Sequence, residues 1–345
     1  MDFTIAMFLL QDGVTNGAIY ALLAVALVLV FAVTRVILIP QGDLVAFGGL
    51  TLAALETGRT PGSVWLLLGL AAAATVMEVI ASRNRLPPGR IALNALKMAL
   101  PALVIAAAVL LLAPLQLGSI VNLVLCASLI IPMGPYLYRT AFQPLADASV
   151  LVLLIAAVGA HLAMTGLGLA FFGAEGYRTS PLIDAAFTLG PLTVTAQSLL
   201  VVGATLALLL SLALFFSRTL IGKALRASAV NRRGARLVGI PTARAGSLAF
   251  TMAAAIAVVS AVLVAPLATL YYDSGFIIGL KGFVAAIIGG LAAYPATVAA
   301  AIGVGILEAF SSFWASAFKE VIIFASIIPI LLLRSLRSAH HEEEE

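Results

Sequence analysis

The sequence predicts an all-α polytopic membrane protein with about 8–11 transmembrane helices, some of them broken or re-entrant. Three observations carry that prediction. Hydrophobic residues make up 63% of the 345 and charged residues only 10%, whereas a soluble domain carries roughly 25% charged residues. Mean hydropathy is +1.16. The apolar residues also fall in runs of about twenty, a length that spans the roughly 30 Å hydrocarbon core of a bilayer as a helix.

In chain order the candidate spans are 12–34, 36–56, 63–82, 94–113, 117–137, 149–171, 191–216, 245–271, 276–293, 296–316 and 319–336. The first follows MDFTIAMFLLQDG, which has no basic leader and runs on into further spans, so no cleaved signal peptide is expected. In the second, Pro40 removes a backbone donor and Gly42 loosens the helix, which marks a break beside Gln41 and Asp43. The basic, Pro-rich link RNRLPPGRIAL (83–93) joins the third span to the fourth. Cys126, the one cysteine, lies in the fifth and reads as a small buried hydrophobe. His161 in the sixth has no second His, Cys or carboxylate at ligand spacing and reads as a packing residue. Residues 172–190, FGAEGYRTSPLIDAAFTLG, carry Glu175, Asp184, Pro181 and turn-forming glycines, and are expected as a periplasmic loop. A long polar stretch, 217–245, separates the seventh and eighth spans, and no loop is large enough for a soluble domain. The tail AHHEEEE reads as a solvated end or an added sequence, and its histidines are given no role.

Lysine and arginine accumulate in cytoplasmic loops. If 217–244 is inside, alternation also places Arg35, Arg83, Arg85, Arg90, Lys97, Arg139, Arg334 and Arg337 inside, for 15 positives against four outside (Arg59, Arg178, Lys281 and Lys319). The expected orientation is N-terminus out and C-terminus in. Topology therefore accounts for the net charge of +4, and nucleic acid is not an expected partner.

Three charges lie in apolar runs. A carboxylate at a helix centre costs about 2.5–3.5 kcal/mol, so Asp43 reads either as the wall of a water-lined path, where broken helices occur, or as a hydrated residue beside a Pro kink. Glu308 in GVGILEAFSS has Ser311 and Ser312 within a turn, and reads first as an interhelix hydrogen bond and second as path lining. Lys281 opens a span and reads as snorkelling to the interface, with an acidic partner as the alternative. Gly13 and Gly17, Gly48-Gly49, Gly289-Gly290, and Gly303 with Gly305 are small residues at close-packing spacing.

Catalytic chemistry is missing. Gly222-Lys223 is followed by Ala224 and lacks the upstream glycine of a phosphate-binding loop, and no nucleophile set or metal-ligand cluster emerges. No enzyme activity, metal or cofactor is expected. If ATP drives transport here, another polypeptide hydrolyses it.

The basic stretch has seven Lys/Arg and no acid between Ser217 and Arg244. Its Ala, Leu and Arg content favours a short helix, broken by Gly234 and ended by Gly239-Ile240-Pro241, with Asn231 as a cap or turn residue. Leu225, Leu237, Val238 and Ile240 offer apolar anchors among the arginines. Two readings stand level: docking into a groove of a soluble partner, or a topology-fixing loop that touches anionic headgroups.

The run GKALRASAVNRRGARLVGI (222–240) resembles the cytoplasmic loop of ABC-importer permeases of the branched-chain amino acid (high-affinity, Liv-type) family, matching at Gly222, Ala224, Arg226, Ala227, Ala229, Asn231, Ala235, Leu237, Gly239 and Ile240. GVTNGAIYALLAVALVLVF (13–31) resembles the family's opening span. Residues 279–283 with AAIIGGL and GVGILEAFSS resemble its last third, carrying over Lys281, Gly289, Gly290 and Glu308. The resemblance implies a single transmembrane permease domain over 1–345, with 217–245 as a cytoplasmic coupling loop whose helix, including Lys223, docks on an ATPase. It also implies a second permease subunit (homologous or identical), two cytoplasmic ATPases, a periplasmic solute-binding protein and a place in the bacterial inner membrane. Pro40, Gln41, Gly42, Asp43, Lys281, Gly289, Gly290 and Glu308 are the expected path residues. Three departures are visible: only Gln41-Gly42-Asp43 is kept of the usual N-F-A-[HQ]-G-[ED], Gln143 stands where YRTAFQPL (138–145) usually has Arg, and 83–137 is longer by about one hairpin. The alternatives are a secondary transporter or channel using Asp43 or Glu308, and, disfavoured, an intramembrane enzyme.

Overall fold

An unpaired backbone N–H or C=O costs several kcal/mol in a bilayer, so apolar runs close their hydrogen bonds within helices. The structure, a computed structural model, follows this rule and describes residues 3–83, 87–189, 192–291 and 293–342. Arg85 and the last three residues of the tail lie outside the described residues.

The helices are α1 (Phe3–Thr34), α2 (Gln41–Glu56), α3 (Ser63–Ser82), α4 (Pro88–Leu112), α5 (Ser119–Leu137) and α6 (Val150–Phe172). A hairpin, β1 (Ala186–Leu189) and β2 (Leu192–Thr195), precedes α7 (Ala196–Arg218), α8 (Leu220–Val230) and α9 (Arg232–Leu237). Then come α10 (Thr242–Val264), α11 (Ser274–Ile288), α12 (Tyr294–Trp314), α13 (Lys319–Ala325) and α14 (Ile327–Glu342). Among the described residues, nine stretches are long and apolar enough to cross a membrane, the last of them (Ser316–Leu333) running through α13 into α14. The other two expected spans are the shorter α2, with 16 residues, and α11, with 15. At 1.5 Å per residue, α2 covers only about 24 Å.

The chain forms two compact units, interleaved in sequence. One comprises Met1–Val28, Leu182–Leu212 and Ile278–Glu345. Its tightest contact joins α1 to α12: a Cβ on Gly13 would lie 2.6 Å from the Ile306 Cα, and one on Gly305 only 2.3 Å from the Gly13 carbonyl oxygen. Gly303, in contrast, faces open space. Gly289 lies against Thr297, and Gly290, at φ +86°, turns the chain out of α11. Residues 192–195, expected to open a helical span, instead pair with β1. Thr193, Val194 and Thr195 are β-branched and favour a strand.

The second unit comprises Leu29–Pro181 and Ala213–Ile277. There α10 packs chiefly on α5 and α2, and all of α2 except Ala54 and Glu56 is buried. Close approach is again set by small residues: a Cβ on Gly134 would lie 2.4 Å from the Phe250 carbonyl oxygen. Residues 83–137, read from the sequence as longer by about one hairpin, contain α4 and α5; α4 packs on α3 and leaves Leu96, Leu100, Leu103 and Leu111 exposed, while α5 packs chiefly on α10. Pro132 and Pro135 lie inside α5, which passes into a π-helical turn at Tyr138–Phe142 whose two aromatic rings pack against Phe250. Pro40 corrects an expectation: it does not kink a helix but stands just before α2, because residues 35–40 are already non-helical.

Candidate functional site

Within the second unit, the break before α2 delivers Gln41, Gly42 and Asp43 as the helix's first three residues. Asp43 therefore lies in the first turn, where the helix dipole favours a negative charge. One of its oxygens lies 2.8 Å from Nδ1 of His161 in α6. His161 in turn stacks on Phe276, with ring centroids 4.6 Å apart. The Gln41 amide donates to the Ala253 carbonyl of α10 at 3.0 Å. Gly275, at the start of α11, lets the backbone approach closely, since a Cβ there would lie 2.6 Å from the Gly42 carbonyl oxygen. Two acceptors, Gln41 Oε1 and Asp43 Oδ1, are buried with no hydrogen-bond partner among the described residues. The cluster thus joins helix starts to unused acceptors, an arrangement able to receive a donor-bearing group or a water. His161 is buried and satisfied, as expected of a packing residue, but its partner is the Asp43 carboxylate, which spacing could not reveal.

In the first unit, Lys281 is the hub of a buried network. Its Nζ lies 2.5 Å from Glu308 and 3.2 Å from Glu320. The Tyr20 hydroxyl donates to the other oxygen of Glu308, and the Lys281 ammonium lies 5.8 Å from the Tyr20 ring centroid, within cation–π reach. Lys281 accordingly pairs rather than snorkels, and Glu308 makes the interhelix bond expected of it. Ser311 spends its hydroxyl on its own helix at the Glu308 and Leu307 carbonyls. Sequence reasoning missed Tyr20, in the middle of an apolar run, and Glu320, beside a span end.

The 217–245 stretch folds as two short helices, broken at Asn231 and not at Gly234. Asn231 ends α8 and caps α9, accepting from the Gly234 N–H at 2.9 Å. Gly239, at φ +85°, ends α9 in the left-handed region, with the Ile240 N–H bonded to the Ala235 carbonyl at 2.9 Å. Gly222 packs against the end of α7, where a Cβ would lie 2.3 Å from the Phe215 carbonyl oxygen, and Arg226 donates to the Phe216 carbonyl. Leu225 and Ala235 are buried, so Leu225 is not the exposed anchor it was expected to be. Much of the motif thus shapes the loop. What it presents outward is apolar and basic: Leu237 is 90% exposed, Val230 85% and Val238 77%, with Lys223 and Arg233 also exposed. Ala224 and Ile240 line an apolar groove of about 370 Å³ together with Ile221, Leu225 and Pro241, while Ala227 is exposed and Ala229 half-buried.

Comparison with known proteins adds a family. Residues 9–331 match the profile described as branched-chain amino acid transport system / permease component. The chain is 28% identical over 239 residues to the high-affinity branched-chain amino acid transport system permease protein BraD of Pseudomonas aeruginosa, covering 66% of this chain and 78% of that protein. It is 29% identical over 202 residues to the permease protein LivH of the corresponding high-affinity system in Escherichia coli, covering 56% of this chain and 66% of the relative. The LivH protein of Salmonella typhimurium shows the same identity and coverage. No solved structure matches.

Proposed function

The chain belongs to the family of branched-chain amino acid transport system permease components, and from that premise we propose that it is the membrane-spanning subunit of an ATP-driven importer for branched-chain amino acids or a related small solute. It sits in the bacterial inner membrane, N-terminus out, beside a second permease subunit, with two ATPases inside and a solute-binding protein outside. The observation that carries this reading is the outward face of α8 and α9. Leu237, Val230 and Val238 stand exposed on a basic, acid-free segment, as suits docking into a groove of a soluble partner. Residues 222–240 pass the ATPase's closing motion to the helices that hold them. The loop 172–190 faces the periplasm.

Changing Val230 and Leu237 together to Asp is expected to abolish co-purification of the ATPase while the permease itself extracts and elutes as the wild type does. Neither side chain is buried in the chain, so its own packing loses little. An intact complex would place docking elsewhere.

Path residues are proposed in each unit taken by itself: Gln41, Gly42 and Asp43, with Pro40 before them, in one, and Lys281, Gly289, Gly290 and Glu308 in the other. Asp43→Asn keeps the side chain's shape, removes its charge and is expected to lower uptake about tenfold, equivalent to about 1.4 kcal/mol. The ATPase complex should survive. Uptake at the wild-type rate would reduce Asp43 to a structural partner of His161.

A further inference from the structure

The first unit contains a cavity of about 320 Å³ whose walls come from three helices. Leu9, Asp12 and Asn16 share one face of α1, Ser312 and Phe313 stand near the end of α12, and Lys319 opens α13. Glu308 reaches its edge, but both of its oxygens are already engaged by Tyr20 and Lys281. The side chains of Asp12, Asn16, Ser312 and Lys319 make no side-chain hydrogen bond or ion pair among the described residues. Asp12 and Lys319 are opposite charges on the wall of one cavity, and they do not pair across it.

A ligand with a single charge would match one of these groups and oppose the other. A neutral amide would leave both unmatched. A zwitterion satisfies both, since charge-assisted hydrogen bonds form at each end. We infer that this cavity is a binding site for the α-ammonium and α-carboxylate of a free amino acid. The ammonium goes to Asp12. The carboxylate goes to Lys319, with Asn16 and Ser312 as hydrogen-bond partners, and Leu9 and Phe313 meet the aliphatic side chain. A volume of about 320 Å³ lies at the small end of ligand sites, roughly 300–1,000 Å³. The inference rests on the importer reading and gives its amino-acid solute a site in this chain, apart from Gln41 and Asp43.

A phosphatidylethanolamine headgroup carries the same pair of charges, so the test is run on the full permease–ATPase complex in nanodiscs of phosphatidylglycerol alone. Equilibrium binding is measured for leucine, leucinamide and 4-methylpentanoate. The wild type should bind leucine at least about tenfold more tightly than either half-charged analogue. Asp12→Asn should erase the preference over 4-methylpentanoate, and Lys319→Gln the preference over leucinamide. Both positions lie at an open wall, and ATPase co-purification checks that each variant remains assembled. Leucine binding that both variants keep at the wild-type level overturns the assignment; ATP-driven uptake that persists in them leaves the importer reading standing. Loss of leucine binding when phosphatidylethanolamine is added makes the headgroup the occupant and also overturns it. Absence of ATP-driven uptake by the wild type removes the importer reading, and the site then stands or falls on the selectivity of the two variants.

Discussion

Lys281→Met is expected to destabilise the folded chain by about 3–5 kcal/mol, the cost of breaking a buried ion pair by removing one partner. Lys281 is the shared cation of Glu308 and Glu320, and Glu308 is buried with it. Without the ammonium, two carboxylates face each other in an apolar bundle, where even one charge costs about 2.5–3.5 kcal/mol. Thermal unfolding in detergent should show a clear drop in midpoint and yield. Lys281→Met combined with Glu308→Gln and Glu320→Gln should recover most of the loss, since a neutral set of similar volume leaves no charge unpaired. A single variant as stable as the wild type would mean that the network does not hold the unit together.

Gly305→Val is the second large effect. The Cβ would lie 2.3 Å from both the Gly13 carbonyl oxygen and the Gly17 backbone nitrogen. Backbone atoms cannot rotate away as a side chain would, so α1 and α12 must separate. Overpacking of this kind costs about 1–3 kcal/mol and sometimes more. Gly303→Val provides the control two residues away: its position faces open space, and the expected change is within about 0.5 kcal/mol. Thermal midpoints of the two variants should therefore differ widely. Equal midpoints would contradict the close α1–α12 contact.

That contrast shows what a sequence pattern can and cannot say. Gly303-x-Gly305 announced a helix contact, but which glycine faced the neighbour depends on how α12 is rotated, and that is a tertiary fact. The helices themselves were legible because the bilayer leaves an apolar run of about twenty residues little alternative. The hairpin at 186–195 was not, because Thr193, Val194 and Thr195 adjoin a long apolar run and hydropathy does not separate a strand from a helix. Pro40 was read as a break or a kink inside a span starting at 36 because Val36 to Ile39 are as apolar as a span, although they adopt no helix. Asp43 stood out as a charge that needs water or a partner, whereas Lys281 was read first as snorkelling and only second as paired. Their partners, His161 at 118 residues and Glu308 at 27 residues, lie at no fixed spacing and required the fold. In the basic loop the order of the motif was visible, but not its division of labour: Gly222, Asn231 and Gly239 shape the backbone, and Val230 and Leu237 face out.

The central claim is that a separate ATPase drives this membrane subunit, and uptake by proteoliposomes tests it most directly. The chain is reconstituted with its partner permease, its ATPase and its solute-binding protein, and radiolabelled leucine uptake is followed with and without internal ATP. The account predicts accumulation that requires ATP and is unchanged when ionophores collapse the proton and sodium gradients. Accumulation that proceeds without ATP and vanishes with those gradients would contradict it, and would make the chain an ion-coupled transporter instead.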